Sequence, residues 1–142
     1  MTQDNKAPEF KKVTVNYDSS QNRFIISAEI LEEQSGVDYV QISLRNPAGT
    51  ITKYAGLNKN NNTGLYEGYT QLNQWAEKGT WTVNSLYGRD KAGNRKTVYS
   101  YHSDFSKVNI TGNLNVVGNQ QQDNKAPEFK KVTVNYDSSQ NR

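Results

Sequence analysis

The sequence predicts an all-β fold, an antiparallel sandwich of about seven strands. Three observations carry that expectation. Apolar and polar residues alternate with period 2 in run after run, turn-forming clusters separate the runs, and no window holds an i, i+3, i+4, i+7 apolar stripe. Gln71 to Lys78 has room for one helical turn at most. A closed barrel has similar strand statistics and is the competing architecture.

Taken in order, Val13, Val15 and Tyr17 alternate with Thr14 and Asn16 until the polar turn cluster Asp18-Ser19-Ser20-Gln21-Asn22. Phe24, Ile26, Ala28 and Ile30 then share one face of a second strand, and Ile25 and Leu31 on the other face predict a strand covered on both sides. Val40, Ile42 and Leu44 mark a third, ended by Asn46-Pro47-Ala48-Gly49, where Pro sets φ and Gly permits a tight turn. Ile51, Lys53 and Ala55 suggest a short edge strand, and Asn58 to Asn62 a loop. Leu65 to Tyr69, Trp81 to Tyr87 and Lys96 to Tyr101 are further alternating runs. The second of these places Trp81, Val83, Ser85 and Tyr87 on one face. The expected core is Ile26, Ile42, Trp81 and Val83.

Composition agrees with a folded but thin-cored chain. Hydrophobic residues are 33% and mean hydropathy is −0.94, yet nine Tyr, four Phe and two Trp are too many aromatics for a disordered segment. The formal charge of +3 is mild and gives no footprint for nucleic acid. No run approaches the roughly 18 apolar residues of a membrane span. Cysteine is absent, which removes disulfide frameworks and Cys-based metal or catalytic sites but is compatible with secretion.

Gln3 to Arg23 reads QDNKAPEFKKVTVNYDSSQNR, and Gln122 to Arg142 repeats it unchanged at an offset of 119. The 21-residue string, subtracted once from 142, leaves 121 unique residues, the size of one domain. The division expected is a sandwich over 4–105, a final strand or inter-repeat linker over 106–121, and over 122–142 the first strand of a following repeat. Met1-Thr2-Gln3 carries no signal-peptide core, and the chain reads as a piece cut from a longer protein. Two copies of one strand compete for one groove, so one is expected to pair within its own sandwich while the other stays a mobile tail or enters a second molecule by strand exchange through 3–23 or 122–142, alongside contact with neighbouring repeats.

Several short motifs follow in one order: Asp4-Asn5-Lys6-Ala7-Pro8, Ser35-Gly36-Val37, Asn46-Pro47-Ala48-Gly49, Gly64-Leu65-Tyr66-Glu67-Gly68, Gly79-Thr80-Trp81-Thr82-Val83 and Asp90-Lys91-Ala92-Gly93-Asn94. That succession resembles the bacterial immunoglobulin-like repeats carried in tandem on secreted and cell-wall proteins of Gram-positive bacteria, over residues 4–105. The resemblance implies an immunoglobulin-like β-sandwich with a duplicated strand appended at its C-terminal end. It also implies a non-catalytic role as spacer, stalk or adhesion module, secreted or at the cell surface.

The residues support little catalysis. His102 is the sole histidine, and Ser103 and Asp104 are too close in sequence to converge on it as a relay. Glu32 and Glu33 are adjacent and point apart. No cofactor is expected, with calcium the one inorganic candidate: Asp4, Glu33, Asp90 and Asn94 offer hard oxygen ligands from loops at one end of a sandwich. Against it stands the simpler role of Asp90 and Asn94 as caps of their own turn. Lys and Asn are too abundant for an isopeptide cross-link to be singled out. Carbohydrate binding, to a cell-wall or host glycan, is the alternative function. It would use exposed aromatics drawn from Tyr54, Tyr66, Tyr69, Trp75, Tyr87, Tyr99 and Tyr101, with Trp75, Tyr66 and Tyr69 the chosen candidates.

Overall fold

The computed structural model describes residues 6–32 and 35–117. Strands follow one another along the chain: β1 (Glu9–Asp18), β2 (Arg23–Leu31), β3 (Val37–Arg45), β4 (Thr52–Lys59), β5 (Tyr66–Gln71), β6 (Gly79–Thr80), β7 (Thr82–Asp90), β8 (Arg95–Tyr99), β9 (Asn109–Asn113) and β10 (Asn115–Val116). A short 3-10 helix, Ser103–Lys107, links β8 to β9. The all-β class expected from the alternation is present.

Eight strands form one sheet in the order β8-β7-β3-β4-β5-β2-β1-β9, while β6 and β10 pair as a separate antiparallel ribbon. The pairing is antiparallel except between β1 and β9, which run parallel. That parallel pair departs from the wholly antiparallel expectation. It also means that residues beyond 105 belong to the folded body, since Val116 of β10 is buried.

The sheet curls at a narrow join. β4 pairs with β3 from Thr52 to Leu57 but meets β5 only through Asn58↔Glu67 and Lys59↔Tyr66, so Thr52–Leu57 keeps the edge character read from its sequence. Close approach at this join requires glycine. A Cβ on Gly68 would collide with the carbonyl oxygen of Gly56 and lie 2.8 Å from Leu57 Cδ2.

Curling brings two inner faces onto one core. Val13 and Val15 of β1, with Phe24, Ile26 and Ala28 of β2, face Val40, Ile42, Leu44, Val83, Leu86 and Val98 from the other half. Trp81 joins the halves, its ring centroid 5.6 Å from that of Phe24 and its indole N–H donating to the Glu77 carbonyl at 2.9 Å. Ile26, Ile42, Trp81 and Val83 are all buried.

Bulges change the phase of three strands, Asp38 being the extra residue of β3 between Val37 and Tyr39. Lys11 interrupts the β1–β2 register, which lets Phe10 and Val13 both point inward although they are three residues apart. Asn84 does the same between β7 and β3: Ser43 pairs with Ser85 and Leu44 with Val83. Beyond it Leu86, Gly88 and Asp90 face the core, and Ser85 and Tyr87 face out. The expectation of one face carrying Trp81, Val83, Ser85 and Tyr87 fails there, because strict period 2 has no place for an extra residue.

A second correction concerns β2. It is central in the sheet, but Ile25 and Leu31 are more than 40% exposed, so only one face is covered. The β1–β2 turn is fixed from below. Asn22 adopts φ 54°, accepts a 2.6 Å hydrogen bond from the Tyr17 hydroxyl, and donates through Nδ2 to the Asn73 carbonyl at 3.0 Å.

Candidate functional site

The Asp90-Lys91-Ala92-Gly93-Asn94 segment is the β7–β8 hairpin turn. Asp90 is buried, and its carboxylate is occupied by the turn itself. Oδ1 accepts from the backbone N–H of Ala92 at 3.0 Å and of Asn94 at 2.8 Å, and Oδ2 accepts from Asn94 Nδ2 at 3.0 Å. Lys91 N–H donates to the Gly36 carbonyl, tying the turn to the segment before β3. Asp90 and Asn94 therefore meet, with the carboxylate buried behind the loop. Asp4 and Glu33, the other two residues expected around calcium, lie outside the described residues.

His102 and Asp104 are engaged separately. His102 Nδ1 accepts from the Tyr99 backbone N–H at 3.1 Å, and its ring packs edge-on against Tyr99 and Tyr101. The Asp104 carboxylate faces Lys96 at 3.0 Å and Lys107 at 3.3 Å, and these ammonium partners hold its proton affinity below the usual carboxylate range.

The three aromatics proposed for stacking on sugar do not form one platform. Tyr66 and Tyr69 lie three residues apart on β5 and so point to opposite faces. Tyr66 lines a cleft of about 420 Å³ with Glu32, Asp38 and Lys59. Burial, and behind it the Glu32 charge, raises its phenol above the ordinary range. Tyr69 faces out on β5 beneath the Arg23 guanidinium, 4.6 Å from its ring centroid. Trp75, 83% exposed, sits in the turn after β5, its N–H capped by Asn73 Oδ1 at 2.7 Å.

A different set of aromatics does come together. Residues paired across an antiparallel sheet share a face. The register Tyr54↔Ser43↔Ser85↔Tyr99 crosses β4, β3, β7 and β8, and Gly56↔Gln41↔Tyr87↔Thr97 runs beside it. A third row places Tyr39↔Arg89↔Arg95 on the same side. The outer surface of this half thus carries Tyr39, Tyr54, Tyr87 and Tyr99. Tyr101 is stacked on Tyr99 at 5.4 Å with an interplanar angle of 9°.

Tyr54, Tyr87, Tyr99 and Tyr101 were within the pool of aromatics the sequence offers; Tyr39 was not. The signal for the set was there in the odd positions of β3, but it becomes readable only with the Asn84 bulge, which turns Tyr87 outward. Arg89 donates to Asp38 Oδ2 at 2.8 Å, and its guanidinium lies 5.6 Å from the Tyr39 ring centroid.

Among the described residues there is no group of three or more His, Asp or Glu that could hold a metal ion, and no helix is long and apolar enough to cross a membrane. The chain matches no protein-family model, no curated protein and no solved structure.

Proposed function

We propose that this chain is one period of a tandem array of non-catalytic, immunoglobulin-like modules on a secreted or cell-wall protein, each serving as a spacer. The strand order supports the immunoglobulin-like reading. β1, β2 and β5 lie side by side as strands A, B and E do, and β4-β3-β7-β8 follow the order C′-C-F-G.

The observation that carries the array is the seating of the first copy of the 21-residue string. Its apolar alternation becomes β1, which is paired along one edge with β2 from Glu9 to Asp18 and along the other with β9 from Lys12 to Asn16. Both edges of β1 are taken. An identical second copy then has no vacant place beside β2 and is read as the opening strand of a following module at a period of 119 residues.

A chain with that period written twice before the terminal string tests the reading by calorimetry. Two modules double the unfolding enthalpy per chain at nearly the same Tm, because enthalpy scales with the number of folded residues. An enthalpy equal to that of the single period overturns it.

Adhesion to a glycan is the second reading. What favours it is the outward set Tyr54, Tyr99 and Tyr101, rather than Trp75 with Tyr66 and Tyr69.

A further inference from the structure

The outer face of β4-β3-β7-β8 combines three features that ordinary solvent-facing strands do not share. The first is flat aromatic surface: Tyr54 is 59% exposed and Tyr101 78%, and the Tyr99–Tyr101 stack presents an open ring. Exposed phenol rings offer an apolar plane with a hydroxyl at the rim.

The second is a low polar row between the aromatics. Between Tyr54 and Tyr99 the same row holds only Ser43 and Ser85, whose hydroxyls are hydrogen-bonded to each other. Three strand spacings put about 14 Å between the two tyrosine backbones. Ser43 is buried and its hydroxyl also accepts from Asn84 Nδ2 at 3.3 Å, so short polar side chains bonded to one another close the surface between the two aromatic positions.

The third is charge. Arg89 and Arg95 are directly opposite each other on adjacent strands, an arrangement that destabilises a sheet by itself. Arg45 extends the same face, and Asp38, bonded to Arg89, is its one carboxylate among the described residues. The guanidinium pair accepts a planar carboxylate well, since each presents a fork of N–H donors. An open, nearly flat face with few cations lacks the pockets that protein anchors fill and the continuous basic track that single-stranded nucleic acid follows.

We propose that this face binds an acidic polysaccharide, with a uronate carboxylate taken by Arg95 and Arg89 and pyranose rings lying on Tyr54, Tyr99 and Tyr101. The proposal rests on the adhesion reading and supplies its ligand class and its residues.

The test titrates the full chain with trigalacturonate, with maltotriose as the neutral comparator and a dT10 oligonucleotide as the nucleic-acid one. Arg95→Gln and Tyr101→Ala are both exposed changes, and their Tm values are measured beside the titrations. The expected result is trigalacturonate binding that either substitution weakens at least about tenfold with Tm retained, and that weakens as salt rises. Maltotriose binding as tightly as trigalacturonate overturns the acidic assignment but leaves glycan adhesion standing. Tighter binding of dT10, or trigalacturonate binding indifferent to both substitutions, overturns the site. No glycan binding at about 10 mM overturns the proposal and the adhesion reading together.

Discussion

The Tyr17 hydroxyl donates to Asn22 Oδ1 at 2.6 Å, and Asn22 is the one described residue other than glycine with a positive φ. The pair closes the β1–β2 turn and joins it to the segment after β5, where Asn22 Nδ2 meets the Asn73 carbonyl and the Asn22 carbonyl accepts from Leu72 N–H at 3.0 Å. Replacing Asn22 by Ala removes the side-chain bonds and leaves a Cβ in the left-handed region, for a loss of about 2–3 kcal/mol. Asn22→Gly restores backbone freedom and should lose less. Denaturant midpoints of the two variants check the order.

Trp81 is the largest side chain of the core and spans both halves of the curled sheet. Trp81→Ala should cost about 3–5 kcal/mol, a large fraction of the about 5–15 kcal/mol a domain of this size commands. Trp75 is exposed, so Trp75→Ala should leave Tm within about 1 °C. Chemical denaturation of both variants, followed by far-UV circular dichroism, separates the two roles.

The Asp90 carboxylate already accepts three hydrogen bonds within its own hairpin. Calcium at millimolar concentration should therefore leave Tm unchanged, and Asp90→Ala should destabilise by about 2–3 kcal/mol with or without the ion. A calcium-dependent rise in Tm that Asp90→Ala abolishes would show that the turn opens to bind it.

Tyr66 gives the alkaline limit its sign. Burial and the nearby Glu32 raise its phenol in the folded chain above the unfolded value of about 10. The contribution is fully present below that unfolded value and is lost as pH rises through the folded one, because the fold then has to accommodate a half-buried phenolate. Tm measured from pH 8 to 11 should fall less steeply for Tyr66→Phe than for the parent chain. Equal slopes would remove Tyr66 from the cause.

Much of this architecture was legible from alternation alone. Val13 and Val15, Phe24, Ile26 and Ala28, and Val40, Ile42 and Leu44 occupy one buried face of their strands because period 2 fixes sidedness. What escaped depends on residues that break the period or on neighbours distant in sequence. Lys11, Asp38 and Asn84 are single inserted residues with no mark of their own, and Ile25 is apolar yet faces solvent because none of the described residues covers it. β9 pairs with β1 across nearly a hundred residues, which no local pattern reveals. The tyrosine face suffers from the same limit: Tyr39, Tyr54, Tyr87 and Tyr99 come from four strands, and only the register places them together. Trp75 stands out in sequence for lying outside a strand, and for the same reason it has no place in the register that gathers the others.

The account depends most on β1 filling its slot with the first copy of the repeated string, so that the second copy is surplus to this module. The direct measurement compares the full chain with one ending at residue 121, by thermal unfolding and by sedimentation at high concentration. The account predicts monomers in both cases and Tm values within about 1 °C of each other. A Tm lower by about 4 °C or more in the shorter chain, or a dimer formed only by the longer one, would contradict it, since either result means that residues 122–142 add contacts to this module or to a second molecule.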